Sequence, residues 1–565
     1  MLQKIFKTGY NQPFLLVSFV FILYIIKDIF LVLKITNFNS AVLVSAIGLH
    51  ILCGYFYLRF RNNSTDNKLS DRLAILENLS LCYILIVISL LISSIIYDFS
   101  FDGQSYHQES IIRLKAGWNP FYQVIPDSQT HTHTINFPKS TWIYASVIFD
   151  LSGNIELGKS YNLIFFPAAF FYVLSFVRKF QKNTIPALGI TLLFTANPFV
   201  LTLMFTYHVD GLIALLILIS LISLINFVQT EKRSEQVESL LMLIIASILA
   251  INSKFSGLTC GIMLIGYILR ELFRRRYKNV LWLTAAGIFI LLIGIFCMGY
   301  NPYITNFLYY GDPLFMSMWP VIEKVSYTGF FRNCIYYSGS LFFIDNWQNI
   351  PFHPLKLLNF FKPGDIRDHL LYDRGFGLFF IEICVLAAIM FFHKRAGLIS
   401  KAPLHGSESP SKRNELLFPC FLIFLSFFIA LGKYCLSYGS GVHLARLVPY
   451  LWYFPCFLLL NIDFASKKLL TGLLIILVLI NNGSLLVVNT AVGVLHTVQE
   501  RKTINEIKTI PDQNIAIVLQ WGRFRYAVQE KLTYFKVTKN ISFVIDHDRP
   551  KRYFTYIKDY YVNPE

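Results

Sequence analysis

Residues 211–228 read GLIALLILISLISLINFV, without a single charge, and Asp210 stands directly before them. As a helix this run would reach about 27 Å, close to the roughly 30 Å hydrocarbon core of a bilayer. It is apolar on every side, so it has no face to offer water and must be enclosed by protein or lipid. Working outward, about thirteen stretches have the length and polarity of a span. They are 14–35, 41–58, 76–97, 161–178, 186–205, 211–228, 237–253, 257–270, 279–299, 376–393, 414–432, 444–461 and 469–490. The expected fold is therefore an all-α polytopic membrane protein. Only 15% of the 565 residues are Asp, Glu, Lys or Arg, against the roughly 25% usual in soluble domains, too few to clothe a water-facing surface.

The net charge of +17 would raise the question of nucleic acid in a soluble protein. Here the basic residues sit in short gaps between apolar runs, as at Arg59, Arg61, Lys68 and Arg72, or Arg270, Arg274, Arg275, Arg276 and Lys278. That placement marks topology, and no nucleic-acid partner is expected. The cysteines lie mostly within apolar runs with no CxxC spacing, so neither a disulfide framework nor a zinc site is indicated. The first apolar run is too long for a signal peptide and reads as a retained span.

Loop charges at Arg178, Lys179, Lys232, Arg233, Lys394, Arg395, Lys467 and Lys468 assign one side to the cytoplasm, with the N-terminus there. Parity then requires that 141–151, which would reach only about 17 Å as a helix, lies at the membrane surface as a juxtamembrane helix. It also puts three features together outside: the loop 98–140, the loop 300–375 and the tail from Ala491. The tail mixes a helical INEIKTI with β-rich IAIVLQW and ISFVID, so a small α/β unit is expected. The expected organisation is two extra N-terminal spans in 1–75, a transmembrane catalytic module over 76–490 and an external domain over 491–565.

Chemistry concentrates where spans end outside. After the third span comes Phe101-Asp102-Gly103-Gln104-Ser105-Tyr106-His107. Asp102 and His107 are about one and a half helical turns apart and could face one cavity, or Asp102 could cap a helix. Tyr207-His208-Val209-Asp210 joins two spans with almost no loop, Asn252-Ser253-Lys254 forms a second tight junction, and Arg446 lies just inside a late span. Carboxylates at Asp102 and Asp210 with cations at Lys254 and Arg446 would suit a reaction that deprotonates a hydroxyl and releases an anionic leaving group. The competing readings are capping or a turn for the acids, and snorkelling to headgroups for the cations. His131-Thr132-His133 is read as a solvated loop pair rather than a metal site. Tyr300, Tyr303, Tyr309 and Tyr310 read as an interfacial belt before a sugar-stacking surface.

At these residues the chain resembles the GT-C superfamily of polytopic glycosyltransferases, which holds the aminoarabinose transferases and protein O-mannosyltransferases. The resemblance lies in 101–107, in Asn197 to Gly211, in Ser253-Lys254-Phe255-Ser256-Gly257, in Tyr310-Gly311-Asp312-Pro313-Leu314-Phe315, in Gly375-Phe376-Gly377 and in Arg446-Leu447-Val448-Pro449, spread over roughly 76–490. Asp312 stands where that superfamily usually has Asn, and Leu378 where it has Pro. The resemblance implies Asp102 and Asp210 as catalytic acids, and Tyr106, His107, His208, Lys254, Arg374 and Arg446 as substrate-binding residues. It implies a polyprenyl-phosphate sugar as donor, a lipid-linked glycan, lipid or protein as acceptor, and a bacterial inner (plasma) membrane setting. No cofactor is certain from the sequence, and a divalent cation (Mg or Mn) is left open. The rival readings are a lipid-linked glycan transporter or flippase, and an O-antigen-type polymerase or ligase.

Overall fold

A computed structural model of the chain describes residues 9–61, 68–123, 131–181, 183–315, 376, 380–399, 416–436, 448–460, 462, 468–510, 514–519, 524–545 and 557–562. Among the described residues, nine helices are long and apolar enough to cross a membrane. The helix Asp210–Gln229 is the central one: every residue from Asp210 to Val228 is buried. It packs most extensively on Arg233–Ser253 and Ser160–Val177. Small polar residues tie these contacts, with the Tyr172 hydroxyl 2.7 Å from Ser223 Oγ and Ser220 3.4 Å from Ser247. Such pairs satisfy polar groups between apolar helices at close approach.

The antiparallel pair Asp210–Gln229 and Arg233–Ser253 decides what lies at each end. The two helices have nearly equal length, 20 and 21 residues, so the chain returns to the level it left and Lys254 arrives beside Asp210. The opposite end gathers the basic residues: Lys179 donates to Asn226 at 2.8 Å, and Arg61 lies 3.1 Å from Glu238, which also accepts from Tyr57. The alternation of basic and chemistry-bearing ends read from the sequence is kept through these helices.

Several expected elements take a different form. The span expected over 186–205 is broken: Thr184–Thr195 ends, and Asn197 accepts from the Phe199 N–H to start Pro198–Leu203. Asn-Pro stops one helix and caps the next, because proline has no N–H to continue the first and suits the opening turn of the second. In 444–461 the described part is a 3-10 turn Pro449–Trp452 followed by the seven-residue helix Tyr453–Leu459. The short helix expected over 141–151 spans Ser140–Ser152, and Ser140 to Phe149 are all buried. It is too short to cross, as expected, but protein encloses it: it packs on Gln108–Lys115, on Gln12–Val32 and on the turn Ile155–Lys159.

The first helix, Gln12–Val32, packs against Asn39–Arg61, Ser160–Val177 and Ser140–Ser152 and is largely buried. The last span is the start of a 42-residue helix, Lys468–Thr509. At 1.5 Å per residue it is about 63 Å long, twice the hydrocarbon thickness. It therefore runs through the boundary expected at 490 and carries its final turns, including Ile504 and Ile507, into the C-terminal unit. There, parallel β1 (Asn514–Leu519) and β2 (Asn540–Ile545), with β3 (Ile557–Val562) antiparallel on the other edge of β1, form a sheet of order β2-β1-β3. The helix Arg525–Tyr534 covers it, and Ile515, Ile517, Leu519, Phe524, Val528 and Leu532 form its core with the end of the long helix.

Candidate active site

The loop after the third span begins with a buried carboxylate. Asp98 Oδ1 accepts from the Ser100 N–H at 2.8 Å and its hydroxyl at 2.7 Å, while Oδ2 accepts from the Tyr207 N–H at 3.0 Å. One side chain thus ties the start of the loop to the turn that carries His208 and Asp210. Burial, with Glu156 nearby, pushes the Asp98 carboxyl up to about 6. Asp98 also sets the requirement at Gly103: a Cβ there would lie 1.9 Å from its Oδ2, so no larger residue fits.

Asp102 has helical backbone angles and makes no capping bond, so the capping reading is overturned. The helical path continues through a π-turn at Gly103–His107 into Gln108–Lys115. The extra residue in such a turn re-aims the side chains on either side of it. Asp102 Oδ2 lies 3.9 Å from His208 Nδ1, and Asp210 Oδ2 lies 3.8 Å from the same nitrogen. Asp210 in turn forms a short ion pair through Oδ1 with Lys254 Nζ. Exposure separates the two acids: the Asp102 side chain is 25% exposed and that of Asp210 only 1%, while Lys254 keeps 24%.

Local structure explains each placement. Asp210 is the first residue of its helix, where the macrodipole favours a carboxylate. The turn before it is pinned by Asn162, which donates to the carbonyls of Thr206 at 2.9 Å and His208 at 3.2 Å, and by the Tyr161 hydroxyl on Tyr207 O. Lys254 has extended backbone and ends the helix Arg233–Ser253 before a 3-10 turn. A Cβ at Gly257 would fall 2.2 Å from Ala250 O, so only glycine lets that turn fold back on the helix end.

His107 is buried, and its Nδ1 accepts from the Trp142 indole N–H at 2.6 Å. That bond assigns the neutral tautomer with the proton on Nε2. Burial, reinforced by His208, holds its basicity well below the ordinary histidine value. Its ring centroid lies 6.1 Å from that of His208. Tyr106 packs beside it and stacks on His133 at 5.1 Å. His133 is thus half-buried in a short helix, His131–Asn136, and the reading of a solvated loop fails for it because Tyr106 supplies an aromatic face. Tyr303 likewise departs from the aromatic-belt expectation: it is 2% exposed and donates to Ile251 O, whereas Tyr309 and Tyr310 are exposed.

The structure brings together Asp102, Tyr106, His107, His208, Asp210 and Lys254. Arg374 and Arg446 lie outside the described residues. Asp98, Asn162 and Tyr161 hold the acids through backbone groups; Asp98 stands out in the sequence as an acid immediately after a span, whereas Asn162 and Tyr161 give no signal there. Among the described residues no group of three or more His, Cys, Asp or Glu could hold a metal ion. The Lys254 ammonium against Asp210 would oppose a second cation at that carboxylate.

No family model matches the chain, and no curated protein matches it. Among solved structures, it is similar to the crystal structure of ArnT from Cupriavidus metallidurans bound to undecaprenyl phosphate. The TM-score is 0.43 at 12% sequence identity, over 81% of this chain and 76% of that one.

Proposed function

We propose that this protein is an integral membrane glycosyltransferase that moves a sugar from a polyprenyl-phosphate donor to an acceptor hydroxyl on the external face, with Asp102 as general base. The observation that carries the reading is the convergence of Asp102 and Asp210 on His208, with Lys254 paired to Asp210, from three separate span ends. Asp102 is the acid that substrate can reach, and it takes the acceptor proton as the acceptor oxygen forms its bond to C1 of the sugar. The bond between C1 and the phosphate oxygen breaks, and the lipid phosphate leaves with the electron pair. Asp210, buried and locked to Lys254, orients that ammonium toward the departing phosphate. The sequence resemblance implies the same role for Arg446, and substrate binding for Tyr106 and His107.

The test is reconstitution in liposomes with a panel of polyprenyl-phosphate sugars, following release of lipid phosphate with and without chelator. Release that depends on Asp102 supports the reading. No release from any donor, together with movement of lipid across the bilayer, would favour a flippase instead.

A further inference from the structure

The residues on both sides of Asp102 are held by the C-terminal part of the chain. The Phe101 ring packs edge-on against Phe524 at 5.2 Å, joining the core of the C-terminal unit. Gln104 Nε2 lies 3.3 Å from His496 Nε2 on the long helix. About two and a half helical turns further on, Arg113 donates to the Tyr526 hydroxyl at 2.9 Å.

Beneath these contacts is a buried chain of charges. Lys531 of the C-terminal unit bonds both Glu500 carboxylate oxygens at 2.9 Å and lies 3.4 Å from Glu156. Glu156 pairs with Lys159 and accepts from the Asp98 N–H at 2.9 Å. The side chains of Lys531, Glu500, Glu156 and Lys159 are all at most 4% exposed. Burying ions is costly, and apolar packing could join two units with a smaller penalty. What an ionic joint adds is a fixed geometry, because each charge must find its partner.

We propose that Lys531 is a positioning residue: through Glu156 and Glu500 it locks the C-terminal unit onto the loop 98–115 and so fixes the direction of Asp102 toward His208. The C-terminal unit is then a working part of the catalytic site and not a separate binding module. This rests on the transferase reading for its kinetic half only.

The experiment compares full-length wild type, Lys531→Met and Lys531→Arg in liposomes. Hydrogen exchange is read at 98–115 and at the helices 210–253, and transfer is read as kcat and donor KM. Lys531→Met is expected to raise exchange at 98–115 at least about threefold with 210–253 unchanged. Its kcat should fall about 10- to 100-fold with donor KM within about twofold, as for a displaced catalytic group. Lys531→Arg should recover most of both, since it keeps the charge. Unchanged exchange at 98–115, or a rise throughout the protein, overturns the proposal. Should Lys531→Met not fold, Glu500→Gln, which weakens the hold on Lys531 from its closest acid, is expected to loosen 98–115 in the same direction; no loosening there also overturns it. If wild type transfers no sugar, the transferase reading fails while the exchange data still decide whether Lys531 holds the loop.

Discussion

Lys254 and Asp210, 44 residues apart in the chain, close an ion pair at one end of an antiparallel helix hairpin. The pair is asymmetric, the acid enclosed and the base about a quarter exposed. Removing the partner of an enclosed charge leaves that charge without compensation. Asp210→Asn and Lys254→Met should therefore each lower stability by about 1 to 3 kcal/mol, less than a fully buried pair because Lys254 still sees solvent. The double variant should cost less than the sum of the singles, measured as a double-mutant cycle by denaturation in detergent; additive costs would mean the two do not interact.

Asp102 makes a different prediction, since it is the more exposed acid and caps nothing. Asp102→Asn should keep the thermal midpoint of wild type and lose about 10² to 10⁴ in transfer rate. Near-normal turnover by this variant would take the general-base role from Asp102.

The pH dependence of Asp98 has a definite sign. Its carboxyl is raised from 3.8 to about 6 in the folded protein, so folding favours the protonated form. Its contribution to stability is fully present below pH about 4 and is lost as pH rises through about 6. Measured against Asp98→Asn, wild type should gain relative stability on acidification from pH about 7 to 4, on the order of 3 kcal/mol. A flat difference between the two melting curves over that range would contradict the assignment.

Gly103 lies against the same carboxylate. Gly103→Ala places a methyl group where Asp98 Oδ2 stands, so the loop must shift. A cost of about 1 to 3 kcal/mol is expected, as for overpacking elsewhere, with transfer falling at least as far as the loss of Asp102 alignment requires. Thermal midpoint and rate measured on the same preparation check both parts.

Trp142→Phe removes the donor to His107 Nδ1 and leaves a buried acceptor unpaired. The expected cost is about 1 to 3 kcal/mol. The imidazole NMR signals should then report a change in the neutral tautomer of His107, whose proton the indole confines to Nε2 in wild type.

How far the sequence could be read depended on whether a feature is local. The apolar runs, the basic gaps and the short helix 140–152 follow from the cost of placing charge or unpaired backbone in hydrocarbon, which acts residue by residue. His208, Asp210 and Lys254 could be picked out because tight junctions between spans leave few positions at which a polar residue can stand, and Asp102 because it lies just after a span end. The breaks in 186–205, and the passage of the last helix through residue 490 into the C-terminal unit, were not read as such, although Asn197-Pro198 carries the first signal in plain view. Only tertiary structure decided that Asp98 and Gly103 share one space, that Tyr303 is enclosed, and that Lys531 meets Glu156 and Glu500. Whether near or far along the chain, those contacts are set by how elements pack, and their energy depends on geometry that hydropathy and spacing do not encode. The sequence by itself determined a helical membrane protein with its chemistry at the ends of its spans; the packing of those helices determined which ends meet.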